Sequence, residues 1–441
     1  MINNEIDSKL DLIIHYILSL LLRSNEGIDK ISYGEKKDME SIVTIKPSGF
    51  FDKDVYMTPK SLPNLPLARW HGIPLLFGEP KEEIVEGNMI IYADIIASAF
   101  FLLSRYEEIV VKDNRDSHGR FMGQGSLPGR AGFLEQPVID QYGWQLRELL
   151  RTVGVIVKEP DINGKIYLTH DVDVPWKKWN FVAAVRNCIG HTRREHKLVL
   201  WPLQNFFGDY NHNPFDTFDW IFQMDAMAKQ AQRGRCEIIY FIIAASKSDK
   251  YTESYIGDTK AKNFIDRLKI QSDFIGLHIS YDAGKTLNAE KIKQEKEILE
   301  RFLEKPVRLS RNHYLLSKGM EAFRDLIDIG LTDDYTMGYA DRVGFRLGTA
   351  QCVRWIDPER LELTKLKLHP LIIMECSLTA KNYMGMNQQE SMEKVKKLYH
   401  ACESVKGDFC VLFHNSIFMP GPNDWLKEVY QNMIEVFKEN I

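Results

Sequence analysis

Lys165-Ile-Tyr-Leu-Thr-His-Asp-Val-Asp-Val-Pro175 is an apolar strand that ends in two carboxylates one residue apart. Asp171 and Asp173 thus sit where a strand hands over to a loop, the usual place for chemistry in α/β folds. Side chains at i and i+2 of an extended segment point the same way, so both carboxylates face one small volume at the mouth of a sheet or barrel. One can hold a metal while the other takes a proton. An isolated Asp-x-Asp is more often an Asx turn or a helix cap, and it is the sequence downstream that changes this reading.

From Lys165 onward, apolar runs alternate with amphipathic helical patterns. The runs are Ile166 to Thr169, Glu237 to Ala244, Phe274 to Ile279, Val307 to Ser310, Lys367 to Met374 and Phe409 to Phe413. Helical periodicity covers Phe218 to Gln230, Ala289 to Leu303, Lys318 to Ile329, Gln388 to Ser404 and Asp424 to Lys438. Such alternation predicts an α/β fold, a parallel sheet covered by helices, and about seven repeats make a closed or nearly closed (β/α) barrel the economical solution. The site is expected at the carboxyl ends of the strands.

Residues 1–157 read as a separate, smaller α/β or α+β domain, joined to the barrel of residues 165–441 by Lys158-Glu-Pro-Asp-Ile-Asn-Gly164. Its clearest element is a buried helix over Asp94 to Glu108, with an Asp cap and a dense apolar face. A second helix is expected over Tyr142 to Val153. The polar loop Asp113 to Phe121 (DNRDSHGRF) carries Asp116, His118 and Arg120, which with Arg105, Glu107 and Glu108 can form a site; clustered ion pairs at a domain surface explain these charges equally well and are the preferred reading. Between Trp176 and Asp216 lies an insertion rich in aromatics and cations. Such residues can stack sugars or touch lipid headgroups, and they equally suit the two faces of a helical insertion.

The chain has 441 residues, 44% hydrophobic and 27% charged, with a formal net charge of -4. These proportions give no general attraction to nucleic acid or to an anionic membrane. Six cysteines without a C-x-x-C pair indicate neither a zinc ribbon nor a disulfide framework. Leu12 to Leu22 resembles a signal core, but His15 interrupts it, and Asp7 and Asp11 precede it. Helical spacing of Leu10, Ile13, Ile14, Ile17, Leu18 and Leu21 suggests an amphipathic opening helix instead. No transmembrane helix is expected, and a cytoplasmic location fits best.

Three further strand ends bear polar groups. His278 closes Ile275-Gly-Leu-His, with Asp282 four residues on; Arg311 and His313 follow Val307-Arg-Leu-Ser; His414 follows Phe409-Cys-Val-Leu-Phe. A lone histidine at a strand end is usually a satisfied core or loop residue. Four strand ends that all open on one barrel face make coincidence much less credible.

In this order, Thr-x-Asp-x-Asp, strand-end His, Arg-x-x-Tyr and Leu-x-His, the chain resembles the polysaccharide deacetylase family, carbohydrate esterase family 4. Its N-terminal region looks like that of an uncharacterised bacterial subgroup. The resemblance spans roughly Lys165 to Ile441 and implies a distorted (β/α) barrel that removes acetyl groups from amino sugars. It implies Asp171 as general base and Asp173 as metal ligand. The family's second motif, His-Ser/Thr-x-x-His, binds metal through both histidines; here His278 fills the first position, Ile279 replaces Ser/Thr and Asp282 fills the second. In the third motif Arg311 would orient the base and the backbone N–H of Tyr314 would help form an oxyanion hole. His313 stands where the family has Pro, so either Asp282 or His313 is expected to complete the metal site, with Asp282 slightly favoured. His414 maps onto the general acid. Trp355 and Glu375 lie in the region of the family's aromatic pocket wall and carboxylate partner.

The chemistry requires such a set whatever the family. Hydrolysing an amide needs a nucleophilic water, stabilisation of charge on the carbonyl oxygen, and a proton for the departing amine. A divalent ion held by Asp173, His278 and a third ligand polarises the carbonyl and activates the water; zinc is the expected ion. The expected substrate is an N-acetylated sugar or glycan precursor. The alternatives are a non-catalytic carbohydrate-binding protein that kept the barrel, and a metal-dependent amide or ester hydrolase acting on a non-sugar compound. Oligomeric state is not legible.

Overall fold

The computed structural model describes residues 2–34, 41–158, 164–177, 180–196, 198–207, 213–419 and 424–438. The N-terminal unit holds β1 (Ile31–Tyr33), β2 (Val43–Ile45), β3 (Ala68–Trp70), β4 (Ile73–Leu75), β5 (Gly78–Val85) and β6 (Asn88–Ala93). Four of these form a mixed sheet in the order β1-β2-β6-β5, and β3 and β4 form a separate antiparallel pair. The predicted helix after β6 starts where expected: Asp94 accepts from the backbone N–H of Ala97 at 2.9 Å. It breaks early, however. Helix Ile95–Leu103 gives way to Tyr106–Val110 across Arg105, whose φ of 59° is left-handed. The predicted helix near Tyr142 spans Val138–Thr152.

The second sheet contains β7 (Ile166–Val172), β8 (Cys236–Ile243), β9 (Phe274–Ile279), β10 (Leu309–Asn312), β11 (Asp333–Met337), β12 (Val353–Asp357), β13 (Glu362–Pro370), β14 (Ile373–Met374) and β15 (Phe409–Leu412). Its order is β12-β13-β11-β10-β9-β8-β7-β15-β14. Every pairing is parallel except β12 with β13. Among the described residues, the expected closed or nearly closed barrel is seen as a curled, nine-stranded half-barrel sheet. The predicted strand Lys367 to Met374 is divided: β13 lies beside β11 and β14 beside β15. Between them, Leu371 donates to Met337 at 3.0 Å and Ile372 donates to Cys410 at 3.0 Å.

Two strands carry no clear sequence signature. β11 reads Asp-Asp-Tyr-Thr-Met, with no apolar run, because Asp334 is buried and satisfied locally by Thr336 and Ser310. β12 is the antiparallel strand and so breaks the strand–helix alternation. Helices Ala289–Leu303 and Gln388–Ser404 match their predicted spans, and Trp425–Lys438 starts one residue late.

The two units share one apolar core, to which helices Ile2–Leu22 and Ile95–Leu103 contribute alongside the larger sheet. Polar ties cross the same boundary. Buried Asp140 accepts from the Ala350 N–H (2.9 Å) and from Gln351 (2.6 Å), and Arg23 donates to the Lys406 carbonyl (2.6 Å). No described helix is long and apolar enough to cross a membrane.

His369 on β13 stacks on Tyr335 with ring centroids 4.0 Å apart and bonds Asp333 at 2.9 Å. Burial opposes its charged form, but Asp333 and Cys352 overcome this and raise its pKa to about 9, from an ordinary 6.5. Because the folded value is the higher one, the pair's contribution is fully present below pH 6.5 and is lost as pH rises through about 9. Urea unfolding of the wild type is expected to show this decline across that window, and His369→Gln is expected to flatten it. An equal slope in both proteins would remove His369 as the cause.

Candidate active site

Alternation along β7 decides which side chains meet. Thr169, Asp171 and Asp173 face the inside of the curl. His170 points the other way, into the helix layer, where it stacks on Tyr240 and bonds the Phe413 carbonyl at 2.9 Å. Because its neighbours in the sheet are parallel, their carboxyl ends open on the same side.

Asp171 is 2% exposed and accepts from Arg311 Nη1 at 2.8 Å; the same nitrogen donates to Thr169 Oγ1 at 2.8 Å. Arg311 is fully buried, and its Nε donates to the Tyr335 carbonyl at 3.0 Å, so the guanidinium is fixed from two strands. Burial acts to raise the Asp171 pKa, but His278, Arg311 and His414 together hold it below the ordinary carboxylate value. The same competition keeps Asp173 well below, with His313 and His278 opposing burial.

Asp173, His278 and His313 form one cluster, their ligating atoms all within 4.8 Å of one another. His278 Nε2 lies 3.2 Å from Asp173 Oδ1, and His313 Nε2 lies 3.5 Å from Asp173 Oδ2. The Nδ1 of His278 is 3.0 Å from the Arg311 carbonyl. A carbonyl only accepts, so Nδ1 carries the proton, and in the neutral ring the lone pair of Nε2 faces the carboxylate. Both His278 Nε2 and Asp173 Oδ1 are buried without a hydrogen-bond partner. Burial opposes charge on His278, but Asp171 and Asp173 outweigh it and raise its pKa, so Nε2 faces a place that attracts positive charge and suits an intervening cation. His313 Nδ1 is likewise occupied, by Thr252 Oγ1 at 3.1 Å. Outer partners of this kind fix ring orientation around metals, and the donor set fits a divalent ion such as zinc.

Asp282 lies elsewhere, contrary to the slight preference drawn from its i+4 spacing. The strand ends at Ile279 and a helix starts at Tyr281, so the spacing no longer returns to the His278 face. Its side chain is 52% exposed and pairs with Lys291 at 2.8 Å. His313 reaches the cluster because a tight turn follows β10. Tyr314 (φ 61°) and Leu315 (φ 53°) both adopt left-handed conformations there, a strain typical of functional turns.

His414, after β15, places Nε2 at 4.0 Å from Asp171 and 3.7 Å from Asp173, while Nδ1 bonds Glu375 at 2.5 Å. Glu375 is fully buried at the end of β14 and is thus the partner of His414. Burial works against a charged His414, but Glu375 and Asp173 outweigh it and raise the pKa well above the ordinary value. Trp355, by contrast, is a core residue packed on Phe323 at 5.1 Å and lines no part of the cavity described next.

These groups open into a cavity of about 960 Å³ that Asp171, Asp173, His313, Tyr314, Glu375 and His414 help to line. One lining residue, Arg120, comes from the N-terminal unit. Arg120 is 8% exposed: Asp116 holds its Nε at 2.7 Å, and it donates to the Tyr314 carbonyl (3.0 Å) and to the Tyr383 hydroxyl (2.7 Å). Nearby His118 bonds Tyr281 at 2.9 Å and packs against Tyr251 and Tyr314. Arg120 therefore brings loop 113–121 to the edge of the cavity, and its ion pair with Asp116 is largely buried rather than solvated. Nothing local in DNRDSHGRF signals this, because Arg120 and Tyr314 are 194 residues apart.

Residues 10–154 match a family model described as a family of unknown function (DUF7033). No curated protein matches the chain. Two solved structures align with 63% of it. One, described as a "putative polysaccharide deacetylase" from Mycobacterium smegmatis, has 10% identity, a TM-score of 0.38 and 86% of its own length covered. The other, a "putative glycoside hydrolase/deacetylase" from Parabacteroides distasonis, has 8% identity, a TM-score of 0.33 and 67% covered.

Proposed function

We propose that the protein is a metal-dependent hydrolase that removes an N-acetyl group from an amino sugar or glycan precursor. The observation that carries this reading is the orphaned Asp173–His278 pair with His313, flanked on one side by Asp171–Arg311 and on the other by His414–Glu375. Asp173, His278 and His313 would hold the ion, which supplies Lewis acidity for an acyl carbonyl and for the attacking water. Asp171, ionised and fixed by Arg311, takes the proton of that water. His414, charged and backed by Glu375, gives its Nε2 proton to the departing nitrogen. The backbone N–H of Tyr314, in the turn whose carbonyl accepts from Arg120 at 3.0 Å, would help to stabilise charge on the acyl oxygen.

The experiment is zinc stoichiometry of the purified chain together with acetate release from N-acetylated amino sugars, free, nucleotide-linked and lipid-linked. One zinc per chain and release from at least one class is the expected result. A chain that binds no added divalent ion and releases no acetate would overturn this reading and favour a non-catalytic carbohydrate-binding protein. For the third ligand, His313→Ala is expected to weaken zinc far more than the 10- to 100-fold typical of an outer partner, whereas Asp282→Ala leaves affinity unchanged. Equal affinities in the two variants would sink the three-ligand site.

A further inference from the structure

The insertion that leaves β7 directly after Asp173 carries an unusual surface. Among the described residues, fourteen large hydrophobic side chains are exposed, and seven of them fall within residues 181–207. Val182 is 76% exposed, Leu198 75% and Phe207 75%. Helix Phe181–Glu195 packs on helix Trp201–Phe206, with the Phe181 and Phe206 rings 5.5 Å apart. The inner face of the longer helix is thin, with Ala184 and Cys188 buried. Its outer stripe, at helical spacing, is Val182, Arg186, Ile189 and Arg193, all exposed. Apolar groups thus alternate with cations on the side turned to solvent.

Charge sharpens the pattern. Between Trp176 and Asp216 the sequence has six Lys or Arg against three Asp or Glu, a local net of +3 within a chain of net -4. We propose that this face docks on an anionic lipid bilayer, with the exposed apolar side chains entering the headgroup boundary and the arginines snorkelling to lipid phosphates. An interfacial helix pairs large apolar residues with Lys and Arg in this way. A second copy of the chain fits poorly, because a two-fold contact through this face would bring the arginines of one copy toward those of the other. Docking would be peripheral, since no described helix can span the membrane.

The site gains a substrate class from this placement. Lys177 and Phe215, at the two ends of the insertion, both line the catalytic cavity. The insertion thus starts and ends at the cavity, and a bilayer docked on it would present a glycan precursor carried on a lipid anchor as the substrate. That last step rests on the hydrolase reading above; the docking itself does not.

The test is co-sedimentation of the full chain with phosphatidylcholine vesicles, with and without phosphatidylglycerol. Binding only to the anionic vesicles, weakened by added salt, is expected. Arg186→Glu with Arg193→Glu is expected to weaken binding by at least about fivefold per arginine. Val182→Asp with Phe207→Asp is expected to abolish it, with unchanged thermal unfolding and zinc content in both variants. The inference is overturned if wild type ignores anionic vesicles or if both double variants bind as wild type does. It is overturned equally if the chain dimerises through this face, seen as a dimer in sedimentation equilibrium that the same substitutions dissolve. Acetate release from soluble sugars reports on the hydrolase reading alone, so the two readings fail separately.

Discussion

Asp171→Asn is expected to lower turnover by about 100- to 10,000-fold, the range for removing a general base, while zinc binding stays near the wild-type level. The amide keeps the shape of the carboxylate and can still accept from Arg311, which meets Asp171 at 2.8 Å. What it cannot do is take a proton. Asp171 approaches His278 Nε2 to 3.5 Å but is not one of the three residues, Asp173, His278 and His313, whose ligating atoms all lie within 4.8 Å of one another. Acetate release and zinc stoichiometry measured on the same preparation check both halves. Should Asp171→Asn lose zinc as fully as His278→Ala does, Asp171 is a ligand and another group must serve as the base.

The largest stability effect is expected away from the cavity, at Glu108. This buried carboxylate receives Arg105 Nη2 at 2.5 Å and Arg346 at 2.8 and 3.0 Å, and Ser317 joins both arginines. Burial would raise its pKa, but the two guanidiniums overcome this and bring it to about 2, from an ordinary 4.5. Glu108→Gln leaves two buried cations without a counter-charge, and breaking a buried pair from one side costs about 3–5 kcal/mol. The contribution is present above pH 4.5 and is lost as pH falls toward about 2. Urea unfolding at neutral pH measures the first statement and acid unfolding the second. Glu135→Gln is the control: its ties to Lys394 and Lys397 are partly solvated, and such pairs are worth about 1 kcal/mol or less. A Glu108→Gln cost no larger than the control would show that the buried cluster does not hold the two units together.

Glu108 also illustrates how the chain is joined. Arg105 belongs to the N-terminal unit and Arg346 to the second, and the short-range sequence around either gives no sign of the other. Arg105 ends its helix in a left-handed conformation, where the apolar pattern of Asp94 to Glu108 reads as one uninterrupted helix. Periodicity reports the face that an element buries; it does not report a side chain that leaves its helix to reach a distant carboxylate.

The convergence of Asp171, Asp173, His278, Arg311 and His414 is legible in the amino-acid sequence alone. Alternation along β7 sets two carboxylates on one face, and parallel strands share a polarity, so polar groups at their carboxyl ends open on one side. Both rules are local, and local rules survive folding. The choice between Asp282 and His313 is not legible there, because it turns on where a strand stops and a helix starts, a boundary set by packing. The same holds for β11, whose two acidic residues hide a buried strand, and for the antiparallel β12. It holds most for Arg120. Its contact with the Tyr314 carbonyl spans 194 residues, and no periodicity in a sequence encodes which loop will be brought to which turn. That pairing exists only once two units have closed on a common core, because desolvation of both partners is what makes one geometry the favoured one.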